Sequence, residues 1–428
     1  MIKGLLHRRR SSDDTTFHGW RYAAIGATMN FMAAGLYGRG FSVYFLPLAR
    51  DLGLSHTTTS LIFGFSSLEG GLQAPIAGYL IDKYGPRIMM IIGTILAGIG
   101  FILLPLANDF LSFVLIYVGV IALGINAGFH NSAGAIVNRW FIRQRGLAFG
   151  IISVGIALGG GIMTPIIAAI VLNWGWRTSV MISGIAILAV GLPLSMMVRN
   201  SPEDVGQTPD GDPVREKAER SAEALTSSDF TLRQATRTVS YWLLALGITL
   251  RIAAQAGILV HIVPMVVWKG LDESAGAIVI ATISFSAVGT RLFMGWLGDK
   301  TSKRALVVLG MVAGAAGALF LLLAPGKLWV FIVFGLMFSI TDGAAGLTWA
   351  MIGDYFGRVS YATLRGVITF CVSLGSLATP VIVGRIFDVT DGYFWALIPL
   401  IGVYLSAALV FMIIRKPEPI SNRHPVST

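Results

Sequence analysis

The 428-residue sequence has little of what a soluble or catalytic chain carries. It has one cysteine, Cys371, so no disulfide framework and no cysteine metal site can form within the chain. Charged residues make up 13% of it, too few to cover the surface of a soluble domain of this length. There is no G-x-x-x-x-G-K-[ST] loop for nucleotide phosphates and no H-E-x-x-H pair for zinc. The six histidines form no ligand-spaced cluster. These absences predict a chain that is not an enzyme and takes no metal or cofactor. The first 16 residues are polar and basic, and the apolar run after them is too long for a signal-peptide core, so no cleavable leader is expected.

Apolar residues are abundant: 55% of the chain, with a mean hydropathy of +0.74. A bilayer core about 30 Å thick needs roughly 20 apolar residues per crossing helix. The runs predict twelve helices: α1 over 20–46, α2 over 58–80, α3 over 87–107, α4 over 111–137, α5 over 146–172 and α6 over 177–198, then α7 over 240–267, α8 over 275–297, α9 over 305–324, α10 over 328–353, α11 over 364–387 and α12 over 393–414. Strands are excluded because an open edge in lipid leaves backbone groups unpaired. The 51 glycines suit a bundle in which helix backbones approach closely.

The long polar interruption at 199–239 divides the chain. The expected organisation is a cytoplasmic tail at 1–19, a six-helix bundle at 20–198, a cytoplasmic loop at 199–239, a second bundle at 240–414 and a cytoplasmic tail at 415–428. The net charge of +10 is distributed as a membrane protein distributes it rather than on one face for nucleic acid. Segments on one side hold 24 Lys and Arg, and loops on the other hold four: Arg50, Arg177, Lys269 and Lys327. By the positive-inside rule both termini and the central loop are cytoplasmic, in a multi-pass protein of a cell membrane.

The halves repeat. Gly78, Asp82 and Arg87 between α2 and α3 recur as Gly295, Asp299 and Arg304 between α8 and α9, each offset by 217 residues. Arg145-Gly146 with Ser153 and Gly155 at the start of α5 recurs at an offset of 220 as Arg365-Gly366 with Ser373 and Gly375 at the start of α11. Two related six-helix halves imply a pseudo-two-fold axis, a central cavity and rocking between two open states.

The G-x-L-x-D-x-x-G-x-R loop at 78–87, with its degenerate copy at 295–304, resembles the signature of the major facilitator superfamily across nearly the whole chain. That resemblance implies gating by Asp82 and Arg87, and by Asp299 and Arg304. Arg291-Leu-Phe-Met-Gly in α8, Arg199-Asn-Ser-Pro-Glu-Asp-Val-Gly after α6 and Arg139-Trp-Phe before α5 resemble bacterial relatives of the monocarboxylate transporters and the oxalate/formate exchangers. The resemblance implies that Arg291 holds a substrate carboxylate, and that Arg39 and Asn131 match substrate-facing positions. It also marks two departures: Ala287 stands where monocarboxylate carriers place an aspartate, and α11 lacks the lysine of the oxalate/formate exchangers.

Charges within hydrocarbon cost several kcal/mol and are functional candidates by default. They are Arg39, Arg251 and Arg291, the acids Glu69 and Asp342, and His130, with an interfacial arginine as the alternative for Arg39; Arg385 reads as a snorkelled surface pair with Asp388 and His261 as structural. The guanidinium fork matches a carboxylate and stays charged when buried, which makes Arg291 the leading anchor against snorkelling to the helix end. Arg251 is either a second anion ligand or the ion-pair partner of Asp342. Asp342, Glu69 and His130 are the candidate proton carriers, with helix packing as the alternative for Glu69 and His130. The expected function is proton-coupled transport of a small monocarboxylate, by a protein functional as a monomer. The alternatives are anion exchange, drug export and a transporter-like sensor.

Overall fold

The computed structural model of the chain describes residues 17–53, 56–212 and 229–418. Among them there is no strand. Nine helical segments are long and apolar enough to cross a membrane. One of these, Arg145–Met197, is two helices joined at Gly175, whose φ of 80° and ψ of 164° only glycine adopts without strain. With the two helical segments nearest the start of the chain, the described residues form twelve helices. α1 spans 19–51, α2 His56–Tyr84, α3 Pro86–Leu106, α4 Phe110–Trp140, α5 145–174 and α6 176–197. The second half contains α7 Val239–Trp268, α8 Glu273–Lys300, α9 Lys303–Leu323, α10 Leu328–Phe356, α11 Tyr361–Thr390 and α12 Phe394–Ile413.

The helix ends follow local chemistry. Asp109, Asp272 and Ser302 accept backbone N–H groups at the starts of α4, α8 and α9. Gly85, with φ 90°, turns α2 into α3, and Pro86 at the first helical position has no N–H to leave unpaired. Five π-helical stretches interrupt the helices: Ala33–Arg39, Tyr117–Ala122, Asn126–Asn131, Gly159–Met163 and Ile187–Gly191. All five lie in the first half, so the repeat is imperfect in backbone as well as in sequence. Such bulges re-aim side chains, and one of them contains His130 and Asn131.

Packing obeys the pseudo-two-fold. α1 lies on α5 as α7 lies on α11, and α3 lies on α6 as α9 lies on α12. The halves meet along two equivalent seams, α2 against α11 and α5 against α8. Glycines bring these seams together: a Cβ at Gly295 would stand 2.7 Å from the Gly146 carbonyl oxygen, and one at Gly146 would stand 2.6 Å from the Gly295 oxygen. Gly78 packs on Ala362 and Gly366 on Ala74 in the same way. Outward-facing Leu72, Ile76, Leu172 and Phe285 are half to more than four-fifths exposed, as a lipid-facing belt requires.

Among the described residues, every hydrogen bond between the halves lies at the end carrying the basic loops or at mid-depth. The structure is therefore sealed toward the basic-loop face.

Candidate functional site

At mid-depth in the second half, five buried or part-buried polar side chains converge from four helices. Arg291 of α8 donates through Nε to Asp342 Oδ2 of α10 at 2.8 Å, and its Nη2 reaches the same oxygen at 2.8 Å. Its remaining amino group, Nη1, donates across the seam to the Ser153 carbonyl of α5. The second carboxylate oxygen of Asp342 accepts from Gln255 Nε2 of α7 at 2.5 Å, and Gln255 in turn accepts from Arg251 Nη1 at 3.3 Å. The Tyr404 hydroxyl of α12 completes the group; it and Arg251 Nε are buried with no hydrogen-bond partner. Charge-assisted bonds of this kind are about twice as strong as neutral ones, and low dielectric makes each unmet group costly.

This corrects one expected pairing. Arg251 does not contact Asp342 directly: Gln255 stands between them, and Arg291 takes the carboxylate. Gln255 and the Ser153 carbonyl were invisible to a search for charges, although Gln255 lies four residues after Arg251 and so on the same helix face. A cavity of about 190 Å³ abuts the cluster. Gln255, Ser284, Arg291 and Asp342 form its polar end, and Ile156, Leu259, Ile283 and Phe338 its apolar wall. Ala287 lines it too. A carboxylate at position 287 would share the space that Asp342 reaches from α10.

The first half contributes a separate polar set. His130 Nδ1 lies 2.8 Å from Asn30 Oδ1 of α1, and Asn30 Nδ2 donates to the Ile152 carbonyl of α5 at 3.1 Å. Asn131 is buried in the same π-helical turn of α4. Glu69 of α2 faces Asn126 of α4, with its Oε2 buried and unpartnered. The Arg39 side chain lies outside the described residues; its backbone closes the π-helical stretch of α1. The structure thus places Arg291, Asp342 and Arg251 together and leaves His130, Asn131 and Glu69 in the other half.

The signature loops act on helix ends. Asp82 accepts from the backbone N–H groups of Ala362 and Thr363 at 3.1 and 2.8 Å, and from the Thr363 hydroxyl at 2.6 Å, at the start of α11. Asp299 accepts from Gly146 and Leu147 N–H at 2.6 and 2.8 Å, at the start of α5. Each aspartate therefore caps a helix of the opposite half, where unpaired amides and the helix dipole favour a negative charge. Among the hydrogen bonds described, the arginines of the loops stay within the first half, its linker and the second half's own end. Arg87 meets Asn200 through its backbone N–H at 3.0 Å, and Arg304 donates to the Ile414 carbonyl at 2.7 Å.

A second tie was not foreseen. Arg145 pairs with Asp354 across the seam at 2.6 Å, and Lys303 bridges Asp354 at 2.9 Å and Asp299 at 3.6 Å. The linker joins in: Asp210 accepts from the N–H groups of residues 142–144, and Glu203 meets Arg358 at 3.3 Å. Burial pushes the Glu203 carboxyl up, but Arg358 and local hydrogen bonds outweigh that and hold it below its ordinary value.

Residues 23–380 match the family model described as Major Facilitator Superfamily. Among curated relatives, the chain is 26% identical over 413 residues to human Monocarboxylate transporter 11, covering 92% of this chain and 82% of that protein. It is 25% identical over 390 residues to the probable L-galactonate transporter of Escherichia coli, covering 88% and 85%. Among solved structures, the E. coli fucose:proton symporter superposes with a TM-score of 0.72 at 12% identity, covering 94% of this chain and all of that one. A structure of the same transporter in the outward conformation also gives 0.72, at 14% identity.

Proposed function

The chain belongs to the Major Facilitator Superfamily of membrane transporters, and on that premise we propose that it carries a small monocarboxylate together with a proton by alternating access. The observation that supports this reading is the Arg291–Asp342 pair at the polar end of an otherwise apolar cavity. With Asp342 ionised, the Arg291 fork is already occupied by a carboxylate. A proton on Asp342 neutralises it, releases Nε and Nη2, and leaves the protonated acid its bond from Gln255. A substrate carboxylate then takes the freed fork, with its hydrocarbon part against Ile156, Leu259 and Phe338. Proton and anion enter as a neutral pair, so the cluster carries the same net charge before and after loading.

The closed seams fit the state that receives substrate from the side opposite the basic loops. With those loops cytoplasmic by the positive-inside rule, this is the outward-facing state. Loading then favours the rocking that breaks the Asp82 and Asp299 caps. Asp82 and Asp299 are the gate residues in this reading. Arg39, Asn131 and Arg251 are further substrate contacts, and Glu69 and His130 are the reserve proton sites.

The test is uptake of labelled L-lactate into proteoliposomes under an imposed pH gradient. Accumulation that collapses with a protonophore supports symport. Lactate–lactate exchange indifferent to the gradient supports an exchanger instead, and no uptake of short monocarboxylates rejects the substrate class.

A further inference from the structure

Arg365, one of the 24 Lys and Arg on the basic-loop side, lies a full turn inside α11, on the seam between the halves. Its sequence counterpart Arg145 is fully satisfied: it donates to the Phe141 and Asn138 carbonyls and pairs with Asp354 of the opposite half. Counting back from the last residues of α4 and α10, Trp140 and Phe356, Asp354 of the second half corresponds to Asn138 of the first. The symmetry-related acid is therefore missing. Arg365 turns instead toward the membrane centre. Its guanidinium lies 4.7 Å over the Trp349 ring of α10 and fills the space where a Cβ of Gly134 in α4 would stand. Nε and Nη1 are buried without a hydrogen-bond partner, and His130, one turn along α4, lies within its field.

Arg365 is half-buried and meets the Tyr361 hydroxyl, but two buried idle donors on a cation are costly, and the aromatic face offsets only part of that cost. The cover over those donors is Gly134, which belongs to the other half. Rocking that opens the basic-loop end lifts Gly134 away and exposes Nε and Nη1 to the exit path. Arg365 lies four residues into α11 and Arg291 nine residues before the end of α8, so at about 1.5 Å per residue Arg365 is roughly 7 Å nearer the basic-loop face. We propose that Arg365 is a second carboxylate-binding subsite, hidden in the present state, that takes the anion from Arg291 once the basic-loop seam opens. Trp349 forms its aromatic wall. This rests on the monocarboxylate reading above and adds to it a residue on the release path.

Phenylglyoxal modification of individual arginines, mapped by peptide mass spectrometry on the purified full-length protein, tests this with L-lactate as the probe. In wild type Arg365 should react slowly. In Asp82→Asn/Asp299→Asn, which loses both helix caps, it should react faster, and lactate at ten times its dissociation constant should slow it roughly tenfold. Protection of Arg291 with none at Arg365 overturns the subsite and leaves the monocarboxylate reading standing. Protection of Arg365 alone supports the subsite and rejects Arg291 as anchor, and protection of neither overturns both. In case the double variant misfolds, Arg365→Gln offers a second measurement. Lactate binding from the outer side should stay within twofold of wild type, while the half-saturating lactate concentration for efflux from the basic-loop side rises. An unchanged efflux constant makes Arg365 a packing residue and overturns the proposal.

Discussion

Removing both members of the Arg291–Asp342 pair should cost less than the two single removals added together. The two side chains are 12% and 8% exposed, so the pair is buried and solvent screens it little. Breaking a buried pair by deleting one partner costs about 3–5 kcal/mol, because the survivor is left uncompensated. Arg291→Met leaves Asp342 with Gln255 on one oxygen and Arg251 nearby, which places that variant near the lower end. Asp342→Asn leaves two arginines facing each other with no acid between them. In Arg291→Met/Asp342→Asn both buried charges are gone and one uncompensated cation, Arg251, remains. The double variant should therefore be more stable than the sum of the singles by about 2–3 kcal/mol, near the upper end of couplings measured between contacting residues. Unfolding in mixed micelles of dodecyl maltoside and SDS, followed by intrinsic fluorescence, measures the cycle. Binding adds a second readout. Truncating one partner of a buried charged contact costs about 2–5 kcal/mol, and since substrate here replaces Asp342 on the fork, Arg291→Met should lose lactate affinity at the low end, roughly thirtyfold. Arg291→Lys keeps the charge without the fork and should fall between. Stability losses that add within about 0.5 kcal/mol would refute the pairing as an energetic unit. Unchanged lactate binding in Arg291→Met would refute the anchor.

Asp342→Asn should abolish pH-gradient-driven lactate accumulation in proteoliposomes while retaining lactate exchange; intact accumulation would move proton coupling to Glu69 or His130. In a Cys371→Ser background, a cysteine at exposed Arg233 should resist impermeant thiol reagents on intact cells and one at Asn108 should react, and the reverse pattern would invert the orientation. Gly295→Val should disfavour the sealed state, since even its Cβ would crowd the Gly146 oxygen at 2.7 Å. Its accessibility at a cysteine placed on the basic-loop side of the seam should rise, and unaltered labelling would show that the seam has slack.

The fold was legible because the bilayer imposes one length and one polarity on every crossing segment. Predicted and observed α3, 87–107 and Pro86–Leu106, differ by a residue at each end. The misses have local causes. α1 continues past its predicted end at 46 to residue 51, and α2 begins at His56, because polar Arg50, Asp51 and His56 dilute the apolar signal without breaking the helix. α5 and α6 are separated by Gly175 alone rather than by the predicted gap of 173–176, since one residue with positive φ is enough to turn the chain. The five π-helical stretches could not be read, because a shift from i+4 to i+5 bonding leaves no compositional mark.

The site was legible as a set of costs and illegible as a set of contacts. Hydrocarbon makes every charge conspicuous, so Arg251, Arg291 and Asp342 stood out one by one. Which of them touch depends on helix rotation and crossing, and a one-turn error in either exchanges Arg251 for Arg291 as the partner of Asp342. Neutral groups raise no such alarm, and the two that organise the cluster, the Gln255 amide and the Ser153 carbonyl, are both neutral. The same limit explains Arg365. A boundary set three residues late, at 364 instead of Tyr361, put the residue at the edge of α11 rather than a full turn inside it, and a loop arginine needs no partner. Its repeat mate Arg145, just before the predicted start of α5 at 146, pairs with Asp354 across the seam at 2.6 Å. The two halves compared position by position show the reason: where one half has Asp354 the other has Asn138, and the arginine that loses its acid turns inward onto Trp349 and Gly134.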